Sequence, residues 1–103
     1  VSGAVKGSIV DKTKAKFEKW YKNDIRVIYL HQTGKWGQPV QVTAKVDFSG
    51  MNTNNLKLYS YDKSSNRFEE IENPKYKFDK DGNITFTTEF AGRIIISDGP
   101  LSK

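Results

Sequence analysis

From residue 24 onward the chain alternates in short runs. Val40, Val42, Ala44, Val46 and Phe48 fall on one side of an extended segment, with Gln41, Thr43, Lys45 and Asp47 on the other. That two-residue period belongs to a half-buried strand. Ile25–His31 is an apolar run long enough for a strand and too short for an ordinary helix. Further runs follow at Leu56–Tyr61, Arg67–Ile71, Tyr76–Phe78, Ile84–Phe90 and Arg93–Ser97. Between them stand Ser49-Gly50, Asn52 to Asn55, Asp62 to Asn66, Asn73-Pro74, Asp79 to Asn83 and Gly92, residues that favour turns. The pattern predicts an all-β fold, an Ig-like or jelly-roll-type antiparallel β-sandwich of about seven strands.

The first twenty-three residues read differently. Residues 1–12 carry glycine and serine without periodicity and suit a linker or an edge segment, which leaves residues 13–103 as the β-sandwich module. Within Thr13–Lys22, Phe17, Trp20 and Tyr21 stand at i, i+3 and i+4, on one helical face, and Asn23 is a fitting stop. A bulged strand fits the same residues; the reading adopted is a short N-terminal helix. Charge follows the same division. Residues 1–23 hold six lysines against Asp11 and Glu18, while the other eighty residues have a balance of only +1 within a total of +5. A basic tail suits nucleic acid or an anionic surface, and lysines spread singly suit a solvated linker.

Composition narrows the function classes. A chain of 103 residues makes one domain with a single core. It has no cysteine, which excludes a disulfide scaffold and a thiolate zinc site, and no apolar run long enough to span a bilayer. Its first residues do not form a signal peptide, so it reads as a module of a longer, multimodular protein, itself a monomer.

The motifs of catalysis are weak. Asp79-Lys-Asp-Gly-Asn83 begins like a calcium loop, but its glycine comes two positions early and Phe90 stands where a bidentate Glu belongs. A hairpin turn accounts for the same residues. His31 is the single histidine and has no triad partners placed by sequence. Adjacent Glu69 and Glu70 point to opposite faces of a strand, and with Glu72 they read as a charged edge that discourages aggregation. The expectation is a non-enzyme without metal or cofactor.

Aromatic side chains carry the alternative. They make up 13% of the chain, enough to turn attention from catalysis to recognition by flat rings. Trp36 lies between Gly34 and Gly37 in a stretch read as an exposed loop. Trp20 stands near the end of the basic segment. If Leu56 and Leu58 face the core, Tyr59 and Tyr61 line the outer sheet face, about 7 Å apart, a spacing that suits neighbouring sugar rings. Gln32 and Gln38, with Asn52 and Asp62, are candidate partners for sugar hydroxyls. The candidate binding set is therefore Trp36, Trp20, Tyr59, Tyr61, Gln32 and Gln38.

Gly34-Lys35-Trp36-Gly37, the alternating strand to Phe48, Leu58-Tyr59-Ser60-Tyr61-Asp62, Ile84 to Thr88 and Gly92 to Leu101 occur in an order that resembles the small β-sandwich accessory modules of ruminococcal and clostridial plant-cell-wall-degrading (cellulosomal) proteins. Several such modules bind carbohydrate without catalysis. The resemblance covers residues 17–101. It implies a secreted, extracellular setting and a polysaccharide ligand of β-glucan, xyloglucan or glucomannan type. The expected function is a carbohydrate-binding module; the alternative is a structural spacer or protein-interaction module. Nucleic acid is not expected as a partner, because the basic residues lie outside the nearly neutral sandwich, and neither is a membrane.

Overall fold

The computed structural model describes residues 3–30, 35–51, 54, 56–62, 67–71, 75–90, 92–99 and 101. The chain is mostly β, in two antiparallel sheets with one short helix near its beginning. Helix α1 is Ser8–Trp20, followed by β1 Ile25–Tyr29, β2 Lys35–Lys45, β3 Lys57–Asp62, β4 Arg67–Glu70, β5 Lys77–Phe78, β6 Asn83–Phe90 and β7 Arg93–Ser97. One sheet runs β1-β7-β3-β4 and the other β2-β6-β5. The first strand pairs with the last and the second with the penultimate. The chain is thus a ribbon doubled back on itself, with hairpins β3–β4 and β5–β6 completing the sheets.

The four-stranded sheet is covered on both faces. On one side Ile28, Leu58, Ile94 and Ile96 share a buried cluster with Val42, Ala44, Ile84 and Phe86 of the other sheet. On the opposite side Ile25, Val27, Tyr59, Tyr61 and Ile95 form a second cluster with Val10 and Phe17 of α1. Ile94-Ile95-Ile96 is therefore buried without a break, as expected of a strand packed on both sides. Helix α1 spends its apolar stripe (Val10, Thr13, Phe17) on that sheet, and Thr13 Oγ1 accepts a hydrogen bond from Arg93 Nη1 at 2.9 Å. The helix begins at Ser8, five residues before the expected start.

The residues before the helix are also tied down. Ala4 and Tyr29 exchange two backbone hydrogen bonds of 2.8 Å, and the Gly3 N–H donates to Thr43 O at 3.1 Å. This strap touches the outer strand of each sheet. On β1, Arg26 donates from Nε to Asp47 O at 2.6 Å and from Nη2 to Ser49 O at 2.9 Å, linking the end of the other sheet to the first.

β2 departs from the sequence reading. It runs from Lys35 to Lys45 where the alternation predicts Val40 to Phe48, and its register with β6 jumps from Lys35↔Phe90 to Val40↔Thr88. A wide bulge absorbs the extra residues. Gly37 takes a positive φ of 78° there, and Pro39 falls where no ladder pairing needs its missing N–H. The turns read at 63–66 and at Asn73-Pro74 lie outside the described residues.

Two outcomes test this packing. Phe17→Ala should destabilise the chain by about 3–5 kcal/mol in urea unfolding, because it empties the centre of the helix–sheet cluster. Gly3→Ala should cost about 1–3 kcal/mol, since a methyl there would overlap Ile28 Cγ2 and press on Leu30. A strap that is dispensable would leave both the unfolding midpoint and the slope unchanged.

Candidate functional site

Tyr59 and Tyr61 point away from the inter-sheet core, as the parity of β3 requires. They are not exposed. Helix α1 covers them, leaving them 4% and 2% accessible. The expectation of an open tyrosine platform is corrected by the roof that residues 8–20 provide. The Leu101 N–H donates to Tyr59 Oη at 2.9 Å, and Lys16 Nζ donates to Tyr61 Oη at 3.0 Å. Phe17 meets the Tyr61 ring edge-on at 5.1 Å and Phe68 at 5.5 Å between centroids. Tyr59 and Tyr21 also pack against Phe68, at 5.6 and 6.1 Å. Burial, with the nearby Tyr59, pushes the Tyr21 hydroxyl above its ordinary pKa.

Trp36 also differs from its expected setting. It belongs to β2, not to a free loop, and packs half-buried against the inter-sheet cluster. Gln38 is exposed on the bulge two residues away. Gln32, His31, Asn52 and Glu72 lie outside the described residues, and Asp62 is exposed at the end of β3.

Trp20 is the aromatic candidate that faces solvent, 44% accessible at the last turn of α1. Its ring stands edge-on to Phe17 at 5.7 Å, and Lys16 Nζ lies 5.4 Å from its centroid. The same ammonium lies 5.6 Å from the Tyr61 ring. Lys16 thus joins Trp20 to Tyr61, one exposed and one buried. Trp36 and Gln38 sit in the other sheet, so the five candidates among the described residues do not converge on one surface.

A second aromatic group was not foreseen. Phe78 is 41% accessible on the edge strand β5, with Tyr76 at 5.6 Å and Phe48 at 5.2 Å, both edge-on. The signal was present in the parity: Phe78 pairs with Ile84 and so points inward at a sheet edge too short to cover it.

The acidic motifs resolve into local structure. Asp79 Oδ1 accepts from the N–H groups of Asp81 and Asn83 at 2.8 and 2.9 Å, and Oδ2 accepts from Asn83 Nδ2 at 2.8 Å. Gly82 closes the turn with a positive φ of 86°. Hydrogen bonds, foremost that from the Asn83 side chain, hold the Asp79 carboxyl below its ordinary pKa; those from Ser49 do the same for Asp47. Glu69 and Glu70 lie opposite Ser60 and Tyr59 on the edge strand β4 and point to opposite faces. Among the described residues no group of three His, Cys, Asp or Glu side chains is gathered to hold a metal ion, and no helix is long and apolar enough to cross a membrane.

No family model matches the chain, and comparison with curated proteins and with solved structures finds no match either.

Tyr59→Phe should lower stability by about 1–2 kcal/mol in urea unfolding, because the buried Leu101 N–H loses its acceptor. An unchanged midpoint would show that this N–H finds another partner. Asp79 gives a pH signature. Its folded pKa is depressed, so its contribution is complete above the ordinary carboxylate value of about 3.9 and is lost as pH falls through the folded value. The stability gap between wild type and Asp79→Ala should therefore be constant near neutrality and close below about pH 4. A gap that persists at low pH would mean that the carboxylate charge is not what organises the turn.

Proposed function

We propose that this chain is a non-catalytic accessory module of an extracellular multimodular protein, acting as a structural spacer or protein-interaction domain on an antiparallel β-sandwich of jelly-roll type. The observation that carries the reading is where the aromatic surface is spent: Tyr59 and Tyr61 lie under α1 and Trp36 packs on the inter-sheet core. Rings held inside contribute to rigidity and are not free to stack on sugars. The nested pairing of β1 with β7 and β2 with β6 supports the sandwich, since it wraps two sheets around one core. The strap at Gly3 and Ala4 and the charged residues of β4 guard its edges, a useful property in a module that sits between others.

Neutral-polysaccharide recognition is the second reading, and Trp20 favours it. An indole 44% accessible on a helix packed against the sheet is pre-ordered for stacking on a pyranose ring. The two readings separate by affinity gel electrophoresis on xyloglucan, mixed-linkage glucan, glucomannan and xylan at physiological salt. The spacer reading expects unchanged mobility in all four. Retardation that Trp20→Ala abolishes, with the fold intact by circular dichroism, would overturn it in favour of a carbohydrate-binding module.

A further inference from the structure

The lysines of α1 are sorted by side. With 3.6 residues per turn, Lys12, Lys16, Lys19 and Trp20 fall on one flank of the helix, and Asp11, Lys14, Ala15 and Glu18 on the other. Lys14 has Asp11 three residues before it and Glu18 four residues after. Lys12, Lys16 and Lys19 have no acidic residue three or four positions away in either direction. Lys12 instead neighbours Lys16 at i+4, and Lys16 neighbours Lys19 at i+3. Like charges so spaced weaken a helix. Lys12 and Lys19 are exposed, and Lys16 is half-buried with its ammonium between the rings of Trp20 and Tyr61. One flank therefore gathers three ammonium groups beside one open indole ring. A local rule is broken there: Lys16 regains a hydrogen bond to Tyr61 Oη and contacts with two rings, while Lys12 and Lys19 stand exposed with no acidic residue at helical spacing.

We propose that this flank binds an acidic polysaccharide, a chain of uronic-acid residues. Trp20 stacks on the C–H face of one sugar, and Lys12, Lys16 and Lys19 pair with carboxylates along the chain. The seven steps from Lys12 to Lys19 rise about 10 Å along the helix axis, so the lysines meet several sugars and not a single one. The opposite, acid-bearing flank confines the ligand to this side. Glu70 shares the sheet face beneath the helix, but it pairs with Tyr59 and not with Tyr61, the residue that Lys16 touches.

Other polyanions fit less well. A bilayer would need the apolar stripe of α1, and Val10, Thr13 and Phe17 are buried against the sheet. Single-stranded nucleic acid is held by successive stacking rings. Trp20 and Phe78 are the large hydrophobic side chains exposed among the described residues, and Phe78 belongs to the other sheet.

The inference is separable from the spacer reading, because a spacer can carry such a flank. Retardation on neutral glycans overturns the one, and failure on a polyuronate overturns the other. The test is affinity gel electrophoresis and titration calorimetry with polygalacturonate, beside its methyl ester, oligo(dT) and vesicles of phosphatidylcholine and phosphatidylserine at equal salt. Polygalacturonate should retard the protein, and added salt should weaken the binding. The methyl ester should not retard it. The double variant Lys12→Gln/Lys19→Gln and the single Trp20→Ala should each raise Kd about tenfold or more. Lys45→Gln, which removes a lysine from the exposed face of the three-stranded sheet, should leave Kd unchanged. No retardation by polygalacturonate overturns the proposal. So does binding that neither α1 variant weakens, or tighter binding to oligo(dT) or to the vesicles.

Discussion

Everything in this structure leans on the four-stranded sheet being buried twice. Ile94 and Ile96 face the second sheet while Ile95 faces α1, so β7 sits at the centre of two cores separated by one backbone layer. A small domain has little surface to bury, and using both faces of its larger sheet raises the buried share without lengthening the chain. Phe17 is the pivot of the outer core. Its ring meets Trp20, Tyr21, Tyr61 and Phe68. Remove the helix, and two tyrosines and three isoleucine or valine side chains face water.

That constraint has a functional consequence. Aromatic residues on the outer face of a sheet are the natural material of a binding platform, and here they become the floor of a helix. The ring that meets solvent is displaced outward by one layer, from β3 to Trp20 on α1. The basic segment, which by charge count alone suits a solvated linker, becomes an ordered row. Helix geometry sets Lys14 between Asp11 and Glu18, and places Lys12, Lys16 and Lys19 where no acidic residue stands three or four positions away. Whether a lysine row is a tail or a surface depends on what its helix is packed against.

The edges show the same economy. β1 and β2 each end a sheet, and one short strap meets both through Ala4 and Gly3. Arg26 adds a second tie by donating to the carbonyls of Asp47 and Ser49. Edge β4 is short and carries exposed Arg67, Glu69 and Glu70. Edge β5 has two residues and leaves Phe78 open. Edges that are strapped, charged or very short resist pairing with another chain.

The strands were legible in the residues. Alternation at 40–45 and the turn residues at 49–50, 79–83 and 92 determine where the backbone extends and where it reverses, because side-chain parity and backbone freedom are local properties. The asymmetry of charge was equally readable. What covers the outer face of β3 was not. Tyr59 and Tyr61 look the same in sequence whether water or Phe17 lies above them, since burial on that side depends on a contact spanning more than forty residues. The unbroken run at 94–96 hints at two-sided burial but does not say what supplies the second side. Trp36 was misread for the same reason: glycines on both sides suggest an open loop, and only pairing with β6 makes Gly37 a bulge and draws the indole against the core. Local chemistry determined the strands and turns, while tertiary structure alone decided which aromatic rings meet solvent.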